Sequence, residues 1–250
     1  MSNNTHKTRG IVLRTVKYGE TSIIVTIYTQ IFGLQSYIVN GVRKTSKNGS
    51  NKAAFFQPDT VLEMEVYHNS LRQLHRIKEY QIAIMLPHLF TNVLKHGVAL
   101  FMVELLTKCL KEPETQEDLY YFLEDSLHHL NNCTDAVMAN FPIFYATHLS
   151  GFFGFFPRKN YLAQNEQVFF DMKEGCFSAA MPAHNQYLEQ QAAIFFAELS
   201  MARQPAELED IRTNAATRRK ILQAIEAYYA LHIQDFGKLK TLPVLRELLQ

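Results

Sequence analysis

The chain has 250 residues, 47% of them hydrophobic and 20% charged, with a formal net charge of +1. That is the composition of a soluble globular protein, long enough to bury a core without metal or disulfide. The three cysteines, Cys109, Cys133 and Cys176, stand far apart, with no C-x-x-C spacing and no paired framework, and no run approaches the ~20 apolar residues that span a bilayer. A zinc site, a disulfide scaffold and a membrane-spanning role are therefore not expected, and a cytoplasmic location is.

The near-neutral total hides an asymmetry. Residues 1–80 carry eleven Lys/Arg against five acidic residues, a surplus of +6 that leaves the remainder at −5. The first part is expected to present a cationic working face and the rest a neutral or acidic body.

In chain order, three runs rich in Ile, Val, Thr and Tyr predict strands over Lys7–Lys17, Ser22–Thr29 and Leu34–Val42. They are separated by turns at Tyr18-Gly19-Glu20 and Ile31-Phe32-Gly33. A polar loop, Val42–Ala54, follows and holds Arg43, Lys44, Lys47 and Lys52. Phe55-Phe56 re-enters the core, and Pro58-Asp59 makes a turn. Thr60–Tyr67 alternates as a half-buried strand, and Leu71–Glu79 is the fifth strand. Five short strands in about eighty residues predict a small closed barrel.

From about Tyr80 the apolar residues fall at helical spacing. Helices are predicted over Leu89–Leu110, over Leu119–Leu130 with Thr115 as N-cap, and from Ala136 to about Phe153. Pro142 lies inside the last, leaving open a kink or a break. Phe155–Pro182 reads as a small hairpin around Lys173-Glu174-Gly175. Further helices are predicted over Asn185–Met201, Ala215–Ile233 and Leu242–Leu249. The domain division is 1–80 and 81–250, and the fold class is α+β: a five-stranded barrel, then a mainly α-helical domain with a small β-hairpin insertion.

No phosphate-binding glycine loop, nucleophile elbow or H-E-x-x-H occurs. His128 and His129 point about 100° apart on a helix and share no metal face. Glu63 and Glu65 share a strand face with no nucleophile. No catalytic residue is assigned.

Single-strand binding takes cations for phosphates and flat rings for bases. Arg9, Arg14, Lys17, Arg43, Lys44, Lys47 and Lys52 supply the first, and Tyr28 and Tyr37 on strands the second. None specifies a base, so sequence preference is expected to be weak. Arg218-Arg219-Lys220 opens a helix at the end its dipole makes positive, which hints at an external anionic partner. The competing reading is a protein adaptor whose basic β module meets acidic peptides.

Arg9–Thr29, followed by Phe32–Lys44 with its Y-G-E turn, F-G turn and G-x-R-K loop, resembles the N-terminal domain of the bacterial recombination mediator RecO family. Gln57–Tyr67 resembles the following strand, Asn140–Phe153 a helix ending in a glycine-aromatic pair, and Ala227–Ile233 the late helix. The resemblance implies an oligonucleotide-binding (OB) barrel before a helical domain. It implies a non-enzymatic, nucleoid-associated DNA repair protein that binds single- and double-stranded DNA, anneals strands and, with RecR, loads RecA on gaps coated by single-stranded DNA-binding protein. The acidic C-terminal tail of that coat protein would dock on the helical domain, where Arg158 and Lys159 are the candidate basic contacts. Many members carry four zinc-binding cysteines after the glycine-aromatic pair. Here Phe155–Pro182 holds only Cys176, so no zinc or other cofactor is expected.

Overall fold

The structure is a computed structural model that describes residues 5–43, 52–160 and 167–249. The chain divides into two compact units, one of Met1–Leu89 with Leu110–His128, the other of Phe90–Cys109 with His129–Gln250.

In the first unit, β1 (Thr5–Tyr18), β2 (Ser22–Thr29), β3 (Gly33–Val39), β4 (Val61–Tyr67) and β5 (Leu74–Ile84) close a barrel in the order β1-β2-β3-β5-β4. Strand β1 is long because it serves two partners. Its first half pairs with β4 and its second with β2, and a register shift between Val12 and Arg14 bends it from one to the other. At the crossover stands Gly10, where a Cβ would lie 2.5 Å from Ile27 Cγ2 and 2.7 Å from Met64 Cε. A parallel β3–β5 ladder of three residue pairs closes the barrel. Val12, Ile23, Val25, Ile27, Leu62, Met64 and Val66 fill it, the inward half of each alternating strand.

The fifth strand lies later than the Leu71–Glu79 prediction. Asn69 holds the turn open through Arg72: its side chain accepts from the Leu71 amide and its carbonyl from the Arg72 amide, both at 2.9 Å. Ile82 and Ile84 then pair with Leu62 and Val61 and carry the strand on. Strand β3 ends at Val39, before Gly41 turns at φ 72°.

The predicted helix over Leu89–Leu110 is two, α1 (Pro87–Thr91) and α2 (Val93–Cys109). The Asn92 carboxamide accepts from the amides of Leu94 and Lys95 at 2.9 and 3.1 Å and starts a new helix. Helix α3 (Glu117–Asn132) begins past Thr115, whose hydroxyl donates to the Ile31 carbonyl instead of capping. Helix α4 (Asp135–Phe152) is capped by Thr134 and runs unbroken through Pro142.

In the second unit α4 is the most enclosed element, with Phe141, Ile143, Tyr145 and Leu149 fully buried. Tyr229 donates to the Ala146 carbonyl at 2.6 Å and Tyr145 to that of Met102 at 3.3 Å. The predicted hairpin is part of a three-stranded sheet in the order β7-β6-β8, made of β6 (Phe169–Asp171), β7 (Cys176–Ser178) and β8 (Tyr187–Glu189). Strand β8 occupies the start of the predicted helix Asn185–Met201, which becomes α5 (Gln190–Met201). Helices α6 (Ala215–His232) and α7 (Thr241–Leu248) follow. No described helix is long and apolar enough to cross a membrane.

Candidate nucleic-acid interface

The strand register sorts the barrel's cations into two sets. On β1 and β4, Lys7 stands opposite Glu65 and Arg9 opposite Glu63. Lys78 on β5 pairs with Glu65 at 2.9 Å, and Arg9 reaches Glu124 of α3 at 3.3 Å. This face is electrically balanced. The outward residues of the other face run Arg14, Thr26, Ser36 and Leu74 across β1, β2, β3 and β5, and the next row runs Val16, Ile24, Ile38 and Arg76. Arg14 and Arg76 flank this face, and among the described residues neither has an ion-pair partner. The outer β2–β3 face with its flanking loops is the surface on which OB barrels hold oligonucleotides.

The β1–β2 turn extends the same set. Arg43 folds back on it, its backbone amide donating to the Thr21 carbonyl at 3.0 Å and its guanidinium to that of Gly19 at 3.1 Å. Lys17 and Tyr18 precede that turn, and the Tyr18 ring is 52% exposed, open enough to stack on a base. Lys52 is exposed at the start of the short 3-10 helix Lys52–Phe56. Lys44 and Lys47 lie outside the described residues.

Two rings assigned to base stacking are not on the surface. Tyr28 is fully buried: it faces outward on β2, but α3 covers it. Its hydroxyl donates to the Gln116 carbonyl at 3.3 Å and its ring stacks on Tyr120 at 6.4 Å. Burial pushes its hydroxyl up to about 12. Tyr37 lies on the inward face opposite Val25, also fully buried, and burial raises its pKa too. Arg9 is half-exposed but neutralised by Glu124, which also accepts from the Tyr120 hydroxyl at 2.8 Å.

Arg72, Arg76 and Lys111 are exposed cations that the sequence reading did not place in the site. Arg76 alternates outward on β5 next to the buried His75, whereas Arg72 lies in the turn before the strand, where no alternation places it. What joins the outward side of β5 to β2 is the parallel β3–β5 pairing, which no local pattern announces. Beside them, Phe32 stacks on His68 at 3.8 Å and His68 on His75 at 4.6 Å. Burial, then the charge of neighbouring groups, holds both imidazoles below their usual pKa, so the column is uncharged at neutral pH.

In the second unit, Arg158 and Lys159 are exposed, the latter 5.6 Å from the Phe156 ring centre. Arg218 is half-buried: it donates to the Thr213 carbonyl at 2.8 Å, and burial lowers its pKa. Lys220 pairs with Glu189 at 3.2 Å, and Arg219 is exposed. Cys176 is half-buried in β7, and among the described residues no three metal-ligating side chains converge.

A closed five-stranded barrel followed by a helical unit defines a protein with an OB-fold-like N-terminal domain. The family profile described as Recombination protein O N terminal matches residues 1–85, and that described as Recombination protein O C terminal matches residues 91–243. The chain belongs to the RecO family. It is 34% identical over 246 residues to the DNA repair protein RecO of Flavobacterium psychrophilum, covering 96% of this chain and 98% of that protein. It is 34% identical over 242 residues to the DNA repair protein RecO of Phocaeicola vulgatus, covering 97% and 98%. With the protein of the same name from Azobacteroides pseudotrichonymphae it shares 30% identity over 240 residues.

Proposed function

We propose that the chain is a DNA-binding mediator of recombinational repair that acts by holding and presenting strands. Its relatives carry the name DNA repair protein RecO, and the observation that carries the reading is the open cationic face: Arg14 and Arg76 flanking Thr26 and Ser36, with Lys17, Tyr18 and Arg43 at the adjoining turn. On this reading the barrel holds single- and double-stranded DNA by its phosphates, which allows complementary strands to be brought together. The protein works with RecR, and the helical unit is the docking surface for the acidic tail of single-stranded DNA-binding protein, with Arg158, Lys159 and Arg219 among its exposed cations. RecA loading then follows from clearing coated gaps.

One imidazole–carboxylate pair belongs to the small sheet of the helical unit. His184 lies 3.2 Å from Asp171, but its other ring nitrogen accepts from the Gln186 amide at 3.2 Å. Asp171 accepts from the amides of Lys173 and Glu174. The pair orders the small sheet, where Asp171 stands opposite Cys176 in the β6–β7 register.

Affinity for labelled single-stranded oligonucleotide, measured by fluorescence anisotropy between low and moderate salt, tests the reading. If about four cations neutralise phosphates, log affinity falls with log salt at a slope of about −3. A flat dependence, or no binding, overturns it.

A further inference from the structure

Strand β3 leads into an asparagine–glycine pair, Asn40-Gly41, that neither the barrel core nor the DNA-binding reading uses. Val39 and Val42 on its two sides are buried in the core, so the pair is held in place. Asn40 is exposed, and its carboxamide oxygen accepts from the hydroxyl of Ser22, the first residue of β2, at 3.0 Å. Gly41 turns at φ 72°, a Cβ placed on it would meet nothing within 4 Å, and among the described residues its amide has no hydrogen-bond acceptor.

We propose that Asn40 is a site of spontaneous covalent modification, converted to a carboxylate that weakens the hold of the adjoining cationic turn on DNA. The modification rests on the geometry of the pair, and its consequence rests on the DNA-binding reading above. Solvent base takes the Gly41 amide proton, and the nitrogen attacks the side-chain carboxamide carbon of Asn40. The carboxamide oxygen gains charge as that bond forms. The Ser22 hydroxyl already donates to this oxygen and so stabilises the developing oxyanion. The bond from the carbon to the side-chain nitrogen then breaks, the nitrogen takes a proton from water, and ammonia leaves a cyclic imide behind. Water opens the imide. Addition at the side-chain carbonyl gives aspartate, and addition at the backbone carbonyl gives isoaspartate, whose main chain runs through an extra carbon. No oxidant, reductant or cofactor enters. Glycine suits the attack because no side chain shields its nitrogen, and its amide has no bond to give up.

Either product is ionised at neutral pH. Ser22 directly follows the β1–β2 turn, which Arg43 braces through the Thr21 and Gly19 carbonyls. The new charge therefore arises beside Arg43 and opposes its attraction for phosphate, and isoaspartate also lengthens the link that seats Arg43 on the turn.

The test ages the full chain at neutral pH, in native buffer and in urea, and follows by mass spectrometry the replacement of a side-chain amide by a carboxyl. Asn48-Gly49 is the same dipeptide and serves as an internal reference. In native buffer Asn40 is expected to convert, and Ser22→Ala to slow it about 2- to 10-fold, the worth of one exposed hydrogen bond, without changing the rate at Asn48. In urea, where Ser22 no longer faces Asn40, wild type and Ser22→Ala are expected to convert at the same rate. An Asn40 that stays intact in native buffer, or that converts equally fast in Ser22→Ala, overturns the site. Affinity for single-stranded oligonucleotide is then compared before and after ageing in wild type and in Asn40→Gln, whose longer side chain cyclises far more slowly. Ageing is expected to weaken wild type about 2- to 10-fold more than Asn40→Gln. Equal losses in the two overturn the consequence and leave the site standing. Fresh protein that binds no DNA overturns the consequence together with the DNA-binding reading, and the mass measurement still decides the site.

Discussion

Asp59 has a carboxyl group that is fully buried, with neither oxygen hydrogen-bonded among the described residues, at a backbone φ of 71° in the approach to β4. Burial without a partner pushes its pKa from 3.8 up to about 8. A folded-state pKa above the unfolded one means the folded chain binds the proton more tightly. The associated stability is fully present below pH 3.8 and is lost as pH rises toward about 8. Asp59→Asn keeps a residue that tolerates left-handed backbone and removes the ionisation. Its melting temperature is expected to exceed that of wild type at pH 8, and the decline of stability between pH 5 and 8 to flatten. Thermal melts across that range check this, and an unchanged slope would mean the carboxyl has a charged partner in solution. At the same scale lies the misreading of the tyrosines. Strand alternation says which residues share a face, and it puts Tyr28 on the opposite face from Ile27. It does not say that a helix some ninety residues later covers the outer face at that point.

Single contacts between elements hold both units in register. The β2–β3 turn sits against the segment before α3: Gly33, at φ 61°, would drive a Cβ into the Glu114 carbonyl. Gly33→Ala is expected to cost about 2 kcal/mol through positive-φ strain and the clash together, seen as a lower urea midpoint with an unchanged m-value. A loss under 0.5 kcal/mol would show that this segment moves aside freely. In the second unit, Glu104 of α2 accepts from the amides of Lys240 and Thr241 and from the Thr241 hydroxyl, at 2.8, 2.8 and 2.6 Å, and so ties down the start of α7. Glu104→Ala is expected to cost about 2 kcal/mol and to expose the α7 amides to hydrogen exchange before those of α4. Uniform exchange across both helices would contradict it. The elements themselves were largely legible, because period-2 and period-3.6 patterns are local. The boundaries that shifted did so where a side chain rewrote the backbone: Asn69 delaying β5 and Asn92 splitting a helix. The third strand of the small sheet was hidden because Tyr187–Glu189 is too short to show a period.

Across the whole molecule, net charge matters less than where the strand register leaves it unpaired. The sequence displayed a +6 surplus before residue 80 but not its partition, which follows from the β1–β4 and β3–β5 pairings. Lys7 and Lys78 face glutamates, while Arg14 and Arg76 face none. The most direct test is therefore a matched charge reversal. R14E/R76E and K7E/K78E change net charge by the same amount on different faces, and both are compared with wild type for single-stranded oligonucleotide affinity at one low salt concentration, after circular dichroism confirms folding. R14E/R76E is expected to weaken binding at least about tenfold and K7E/K78E no more than about threefold. Equal losses from the two would show that DNA responds to the barrel's total charge, and would contradict the assignment of the open face as the interface.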